Sequence, residues 1–431
     1  MPALALALIA ALAGAALVVD RLHLDSAKSE LRIAAEAAAL AAARELANDD
    51  RLRPDFDPTA LQMKARFAAA RIAAQNVVAG QPVTLRIGEG ITVVAGASRP
   101  SAEARRLSYD SASDVRFGRL MNDPATGETI FVEANDHEPT SVAVAARCTE
   151  ARQSAVPLPF RTFYAPNDAD VVAVAEASLN FQVRGLRTID RLPIPTLPLA
   201  ILDRPNAKQD SSHKHSTVSL DPSNKSAASN AQPQPSAPNW TRDIEQRRGA
   251  DHFGYDAATG EVTNEADGIP EITLRTAARS SNSQSNAFVI TLTGDLTEEH
   301  LRRQITQGWS ADDLEPLGGE LLFDHGPLTL AGLRGVDCNV LAQSMRKMLG
   351  QSRVVFLYER VEGDANSHVA TLQVTKMVAG RVMSVREISE CECEIVLQPA
   401  VLATRSAVAS PDETETGCEK NKYVANLRLT N

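Results

Sequence analysis

An uncharged apolar run at the N-terminus constrains this chain more than any other feature of its sequence. Residues 2–19 carry no charged side chain, and their large apolar residues are Leu4, Leu6, Leu8, Ile9, Leu12, Leu17, Val18 and Val19. Eighteen helical residues rise about 27 Å, close to the ~30 Å hydrocarbon core of a bilayer. These side chains favour insertion by roughly 2 to 5 kcal/mol. The run therefore predicts a membrane-spanning helix.

Two other interpretations of this run stay open. A cleaved signal peptide is one, because Ala13-Gly14-Ala15 resembles a small-residue cleavage site, although no basic segment precedes the apolar run. A buried helix of a soluble protein is the other. The charges between residues 20 and 32 balance, so they do not fix the orientation of the span.

The helical pattern continues past the apolar run, through a region rich in Ala at residues 20–80. Residues 34–47, AAEAAALAAARELA, consist largely of the best helix formers. One face repeats small and apolar residues at three- and four-residue spacing, at Leu24, Ala27, Leu31, Ala34, Ala35, Ala38 and Ala42. One helix of about 70 Å is therefore expected from the membrane to about Ala47. A second is expected from Pro58 to Val78, with Asp57 as N-cap and Gly80 as stop.

Alternating segments between turn signals predict a strand-rich domain at residues 81–203. Its predicted strands are Val83–Ile87, Ile91–Val94, Phe117–Met121, Ile130–Glu133, Val142–Ala146 and Val171–Ala177. The segment NDPATG at 122–127 predicts a hairpin between the third and fourth of them. Prolines at residues 157, 159, 193, 195 and 198 favour extended, edge or loop structure in 156–202.

Residues 204–239 differ in composition from both flanks. They are polar and rich in Ser, Asn and Pro, so they cannot bury enough apolar surface to offset the entropy of ordering. This composition predicts a disordered linker. A C-terminal β-rich domain is expected at 240–431, with helices at Leu296–Gln307 and Asn339–Leu349. The expected fold class is α+β: a long transmembrane and Ala-rich helix, then two mainly β domains joined by the linker.

Composition and motifs argue against several function classes. The net charge of -10 disfavours a duplex nucleic-acid binder, and 4% aromatic residues leave few stacking surfaces. Spacings typical of phosphate-binding loops, serine hydrolases and zinc proteases do not occur. No cofactor, metal or small-molecule substrate is therefore expected, and we expect the protein not to be an enzyme. Asp324-His325 reads as a turn, with a hydrolase site as a remote alternative.

The cysteines allow three interpretations. Cys391 and Cys393 lie two apart on a predicted strand, which places both on one face with Ile395 and Leu397. They could be buried thiols, one could form a disulfide with Cys338 or Cys418, or they could form a soft-metal or redox site. The sequence favours buried thiols over the other two.

The segment ALAGAALVVDRLHLDSAKSELRIAAEAAALAAARELA, residues 11–47, resembles the start of the TadG-like proteins of Flp (tight-adherence) pilus systems. In that family an acid follows the apolar span, and an Ala-rich helix with a second acid comes next. Here Asp20 and Glu36 hold these places, with Glu36 replacing the usual Asp. Residues 142–147 and 156–179 resemble, more weakly, the next section of such proteins.

The resemblance implies a single-pass accessory protein of a Flp-type pilus or related secretion system. It implies a bacterial inner-membrane location with the C-terminal domains outside the cytoplasm. The expected partners are membrane lipid and other pilus-assembly membrane proteins. The small residues Ala10 and Gly14, four apart, predict a helix-packing seam within the membrane. On this interpretation Ala34, Ala38 and Ala42 continue the seam outside it.

An exported adhesin or ligand-binding module is the alternative from another class. Two β-rich domains joined by a flexible segment would suit such a role. Exposed aromatic residues beside polar groups would support it, but Trp240 and Trp309 are the only tryptophans.

Overall fold

The computed structural model of the chain describes residues 2–88, 91–92, 113–122, 129–133, 138–160, 167–203, 238–278, 285–292, 296–324, 326–364, 367–410 and 420–430. Its α-helices are α1 (Pro2–Leu46), α2 (Pro58–Ala74), α3 (Glu298–Gln307), α4 (Ala311–Leu314) and α5 (Cys338–Arg346). Short 3-10 helices occupy Asp49–Leu52, Glu150–Arg152 and Glu315–Leu317, and a π-helical turn occupies Thr241–Glu245. The predicted linker 204–239 lies outside the described residues except for its last two.

Strands make up most of the regular structure after α2. Up to Leu202 they are β1 (Val77–Val78), β2 (Gln81–Pro82), β3 (Arg86–Gly88), β4 (Ile91–Thr92), β5 (Val115–Asn122), β6 (Thr129–Glu133), β7 (Ser141–Cys148), β8 (Val156–Pro157), β9 (Asp168–Ala169), β10 (Val171–Asn180), β11 (Val183–Arg187) and β12 (Thr196–Leu202). Beyond it they are β13 (Gly254–Asp256), β14 (Glu261–Thr263), β15 (Ile272–Arg275), β16 (Ala287–Thr291), β17 (Glu320–Leu322), β18 (Leu328–Leu333), β19 (Ser352–Glu362), β20 (Val369–Ser389), β21 (Glu392–Pro399), β22 (Leu402–Thr404), β23 (Ala407–Ala409) and β24 (Val424–Leu429). A long N-terminal helix followed by mixed helix and strand confirms the α+β class at this coarse level.

A six-stranded sheet packs against the two long helices, and together they form the first part of the fold. The strand order of this sheet is β22-β24-β10-β7-β5-β6. One face carries Val115, Val142, Val144 and Ala175, which are buried against α1 and α2. The other face is more open and leaves Val172 and Val174 exposed, as expected for an antiparallel sheet covered on one side.

A second sheet contains seven strands in the order β15-β21-β20-β18-β16-β12-β19. Because β19 also pairs with β20, the strands β20, β18, β16, β12 and β19 form a closed hydrogen-bonded ring. Aromatic side chains pack in this core: Trp309 stacks on Phe356 with ring centroids 5.0 Å apart, and Phe288 meets Tyr358 edge to face. Closure leaves these five strands without an exposed edge among themselves.

The sheets combine strands from different predicted domains. Strand β12 precedes the predicted linker, yet it lies between β16 and β19 in the second sheet. Strands β22 and β24 come from the end of the chain, yet β24 pairs with β10 in the first sheet. A three-stranded sheet, β17-β11-β23, combines strands from both sides of the predicted linker. The predicted boundaries remain a prediction, and the sheets do not follow them.

A polar contact fastens the end of the helical layer to the second sheet. The Asp49 carboxylate, just after α1, accepts hydrogen bonds from Arg381 Nη2 and from Val401 N, the latter at 2.6 Å. Arg381 also lies over the ring of Tyr255, 3.4 Å from its centroid. Removing Asp49 would leave the buried Arg381 guanidinium without its ion-pair partner, which is strongly destabilising.

Several predicted elements are confirmed with their capping residues. Helix α1 ends at Leu46, close to the predicted Ala47. Asp57 caps α2 by accepting from Thr59 N at 2.9 Å. Thr297 caps α3, and Gly308 follows its last residue with a positive φ of 89°. Strands β5 and β6 pair antiparallel as the predicted hairpin requires, while residues 123–128 of its turn lie outside the described residues.

One local prediction is wrong. Helix α2 ends at Ala74 rather than Val78, because Val77–Val78 pairs with Gln81–Pro82 as a hairpin. Ala79 and Gly80 form its turn with φ of 47° and 84°, as the tight turns of hairpins require. Strand β12 is extended, as its prolines favour, but it is an interior strand and fully buried although it contains Pro198. Its register breaks between Thr196 and Ala200, so the proline sits at an irregularity that does not need its missing N–H.

Candidate membrane anchor and its junction with the folded body

Helix α1 has two halves with opposite environments. Every large apolar residue from Leu4 to Val19 is exposed, with 76% of Leu4 and 46% of Val19 accessible. From Ala27 to Leu46, by contrast, one face of the same helix is buried in the core. The N-terminal half is long and apolar enough to cross a membrane, and none of it is buried by the described part of the chain. A helix of the soluble core would be covered, whereas the described part of the chain leaves residues 2–19 uncovered, which disfavours that interpretation.

Asp20 marks the point where the exposed half of α1 ends. Its side chain is 7% exposed, and Oδ1 accepts a hydrogen bond from the backbone N of Phe160 at 3.1 Å. Phe160 itself is 39% exposed beside this contact. The first acid after the apolar run is therefore paired with the folded body instead of with lipid or bulk water. This bond would hold the segment after β8 at the level where the span ends.

Beyond Asp20, the Ala-rich face of α1 packs within the chain. Ala34, Ala38 and Ala42 have no accessible surface and lie in one cluster with residues of α2, β7 and β10. Facing them, α2 presents residues that are also small and fully buried, among them Ala65 and Ala69. Small side chains on both helices allow the backbones to approach closely.

The outer part of the predicted seam therefore needs correction. Ala34, Ala38 and Ala42 contact this chain's own elements, so they cannot present a surface to another protein. Ala10 and Gly14 are in the exposed half, and a Cβ built on Gly14 would meet nothing within 4 Å. Only this inner pair remains available for a partner helix.

The second family-motif acid, Glu36, lies beside the buried face rather than in it. Its carboxylate pairs with Arg32 Nε at 2.8 Å, one helical turn earlier. Pairs of this kind on a helix surface contribute about 0.3 to 0.5 kcal/mol. Nearer the apolar run, Glu30 accepts a hydrogen bond from Ala79 N in the hairpin turn at 3.1 Å. Acidic side chains on α1 thus help to dock the segments that surround it.

The cysteine alternatives are resolved for one pair. Cys338 and Cys393 form a disulfide that joins the start of α5 to β21, with Cα atoms 5.5 Å apart. Cys393 shares the buried face with Ile395 and Leu397, as predicted. Cys391 precedes the strand, is half-buried and is a free thiol. Burial raises the pKa of the remaining described thiol, Cys148, which disfavours its reactive thiolate form.

Removing this disulfide should destabilise the second sheet and its helix. We expect the double variant Cys338→Ser/Cys393→Ser to unfold with a free energy lower by about 2 to 4 kcal/mol, because the bond closes a long loop in the unfolded chain. Denaturant unfolding without reductant measures this loss. Cys391→Ser is the matched control and should change stability little. Alkylation of both Cys338 and Cys393 in the folded wild-type protein would contradict the bond.

Other predicted sites receive no support as centres of chemistry. Asp324 accepts from Arg184 Nη1 at 2.8 Å, so its carboxylate is held by an ion pair; His325 lies outside the described residues. Across the described ranges, no group of three or more His, Cys, Asp or Glu residues is placed to hold a metal. Trp240 and Trp309 are completely buried, so neither provides the exposed surface that an adhesin would use.

Sequence reasoning missed Phe160 as the partner of Asp20. The two residues are 140 positions apart, and the bond uses a backbone N–H that every residue type except proline carries.

Searches of family models, of curated proteins and of solved structures found no match to this chain.

Proposed function

We propose that this chain is a single-pass, membrane-anchored accessory protein for assembly of a Flp (tight-adherence) pilus or a related secretion system. It acts by helix packing and protein contacts, without catalysis. The observation that carries the proposal is the continuity of α1, which runs from the exposed apolar residues 2–19 into the buried face at 27–46 without a break. Such a helix is a stiff connection that holds the folded body at a fixed distance from the membrane.

The disulfide supports a location of the body outside the cytoplasm. Bonds such as Cys338–Cys393 persist in oxidising compartments and are rare where thiols are kept reduced. An N-terminus inside and a body in the periplasm would agree with this chemistry. The orientation itself rests on the family resemblance.

The proposed contact with other membrane proteins is the inner pair Ala10 and Gly14. Helices in a bilayer associate mainly through close packing, and small residues four apart allow that approach. In this chain the pair lies in the exposed half of α1, where the described residues place nothing against it. A partner helix is the occupant that this geometry fits.

Enlarging that pair tests the proposal. In cells that lack the native copy, Ala10→Ile/Gly14→Ile should lose co-purification with partner membrane proteins and reduce surface pili by about tenfold or more, because branched side chains prevent close helix approach. The variant should stay in the membrane, since Ile favours insertion. Co-purification after mild cross-linking and electron microscopy of surface pili are the measurements.

Ala5→Ile/Ala15→Ile is the matched control. At 100° per residue Ala5 and Ala15 lie about 160° and 120° from the middle of the Ala10–Gly14 seam, so a similar volume is added away from the seam. It should assemble pili normally. Equal behaviour of the two variants would remove the seam, and the absence of a secretion ATPase and prepilin-like reading frames beside the gene would remove the pilus assignment.

A further inference from the structure

A cleft lies where the end of α1, the edge strand β23 and strand β24 meet. Its volume is about 640 Å³, within the range of small-molecule sites in proteins. It brings together residues from distant parts of the chain: Leu40, the region 184–189, the region 405–409 and β24. We call it the arginine cleft, after Arg184, Arg187, Arg405 and Arg428, which all line it.

Two of these arginines have acidic partners and two do not. Arg184 pairs with Asp324 at 2.8 Å, and Arg187 is 3.9 Å from Glu320. Among the described residues, no carboxylate lies within salt-bridge distance of the exposed Arg405 and Arg428. Arg184 also has a buried Nε without a hydrogen-bond partner in the described structure. The cleft thus holds an excess of positive charge in a chain whose net charge is -10.

The lining defines the chemistry of a ligand. A guanidinium presents a planar fork of donors that matches the oxygens of a phosphate or carboxylate. The lining also includes the apolar residues Leu40, Ile189, Val408 and Leu427. Inorganic ions would use the arginines alone, whereas an organic anion would also cover this apolar surface.

The position of the cleft favours a soluble anion over a lipid headgroup as its ligand. Leu40 is 21 residues beyond the end of the apolar run, which is about 30 Å along α1. A headgroup at the bilayer surface would not reach so far from the membrane. This step rests on the proposed anchor, whereas the charge and shape of the cleft do not.

We propose that the arginine cleft binds a small soluble organic anion, with its phosphate or carboxylate group on Arg405 and Arg428 and its apolar body against apolar lining such as Val408. The sequence analysis expected no small-molecule ligand, so this site is an addition to it. The residues of the cleft specify this chemical class of ligand.

Titration of the full chain in phosphatidylcholine nanodiscs with 1-naphthyl phosphate, followed by the probe's fluorescence, tests the proposal. Saturable binding is expected, about tenfold or more tighter than that of inorganic phosphate, because the ring covers apolar surface. Arg405→Gln/Arg428→Gln should weaken it about tenfold or more, since two charge-assisted donors are lost. Both arginines are exposed, so this variant should fold.

The control variant Arg191→Gln/Arg248→Gln removes two exposed arginines outside the cleft and should bind like the wild type. Equal weakening in both variants, or no saturable binding to the wild type, would overturn the site. Displacement of the probe when phosphatidylglycerol replaces phosphatidylcholine would overturn the soluble-anion assignment in favour of a lipid headgroup. Loss of membrane association with intact probe binding would contradict the anchor and leave the cleft standing.

Discussion

Ile9→Arg/Leu12→Arg should move most of the protein out of the membrane fraction. Both side chains are more than 60% exposed and lie near the middle of the apolar run, where each arginine costs about 2.5 to 3.5 kcal/mol on the insertion scale. The combined cost of about 6 kcal/mol exceeds the roughly 2 to 5 kcal/mol that favour insertion of the wild-type segment. Carbonate extraction followed by immunoblotting measures the shift.

Ile33→Arg is the matched control for this experiment. Ile33 is on the same helix and 57% exposed, but it lies more than one helical turn beyond Asp20 and outside the proposed span. One arginine there should leave the protein in the membrane. Retention of the double variant in the carbonate-resistant fraction would contradict the anchor.

The signal-peptide alternative predicts a different molecule from the same gene. Cleavage after Ala15 would give a mature chain without Leu4 to Leu12, and it would be found in a soluble fraction. A retained anchor gives a membrane-bound chain whose intact mass includes residues 2–19. Mass spectrometry of the wild-type protein therefore separates the two interpretations without any substitution.

Local signals in the sequence were sufficient for many elements. The caps Asp57 and Thr297 and the terminating Gly308 each act through a hydrogen bond or a φ angle within a few residues, so they could be recognised directly. The apolar run could likewise be recognised from its own composition. Gly80 was misread because a glycine with positive φ serves a helix end and a hairpin turn equally well.

Long-range pairing accounts for what the sequence could not predict. The hydrogen bond between Asp49 and Arg381 joins residues 332 positions apart, and the burial of β12 depends on a partner strand more than 150 residues later. The arginine cleft has the same origin, since its four arginines come from three separate segments. No periodicity or motif carries such information in a single sequence.

For the Ala-rich face, the sequence correctly predicted close packing but the wrong packing partner. The spacing of Ala34, Ala38 and Ala42 correctly indicated a surface for close packing. A sequence pattern specifies that such a face will be covered, but not whether the cover belongs to the same chain. Here α2 and the first sheet supply it.

Ala38→Arg should therefore unfold the body rather than merely release a partner. Ala38 has no accessible surface, so the substitution places a long charged side chain in a tightly packed core. Overpacking and the burial of an unpaired charge together should lower the free energy of unfolding by about 5 kcal/mol or more. Since whole domains are stable by only about 5 to 15 kcal/mol, we expect a low yield of folded protein. Thermal unfolding of the purified chain in detergent measures the effect.

Ala38→Leu keeps the test usable if the arginine variant cannot be purified. It adds volume without charge and should cost about 1 to 3 kcal/mol. Ile33→Arg, exposed on the same helix, should change stability by less than about 0.5 kcal/mol. If Ala38→Arg kept wild-type stability and lost only its partner proteins, this face of α1 would be an intermolecular surface after all. The graded losses expected for leucine and arginine arise only if the alanine is enclosed by its own chain.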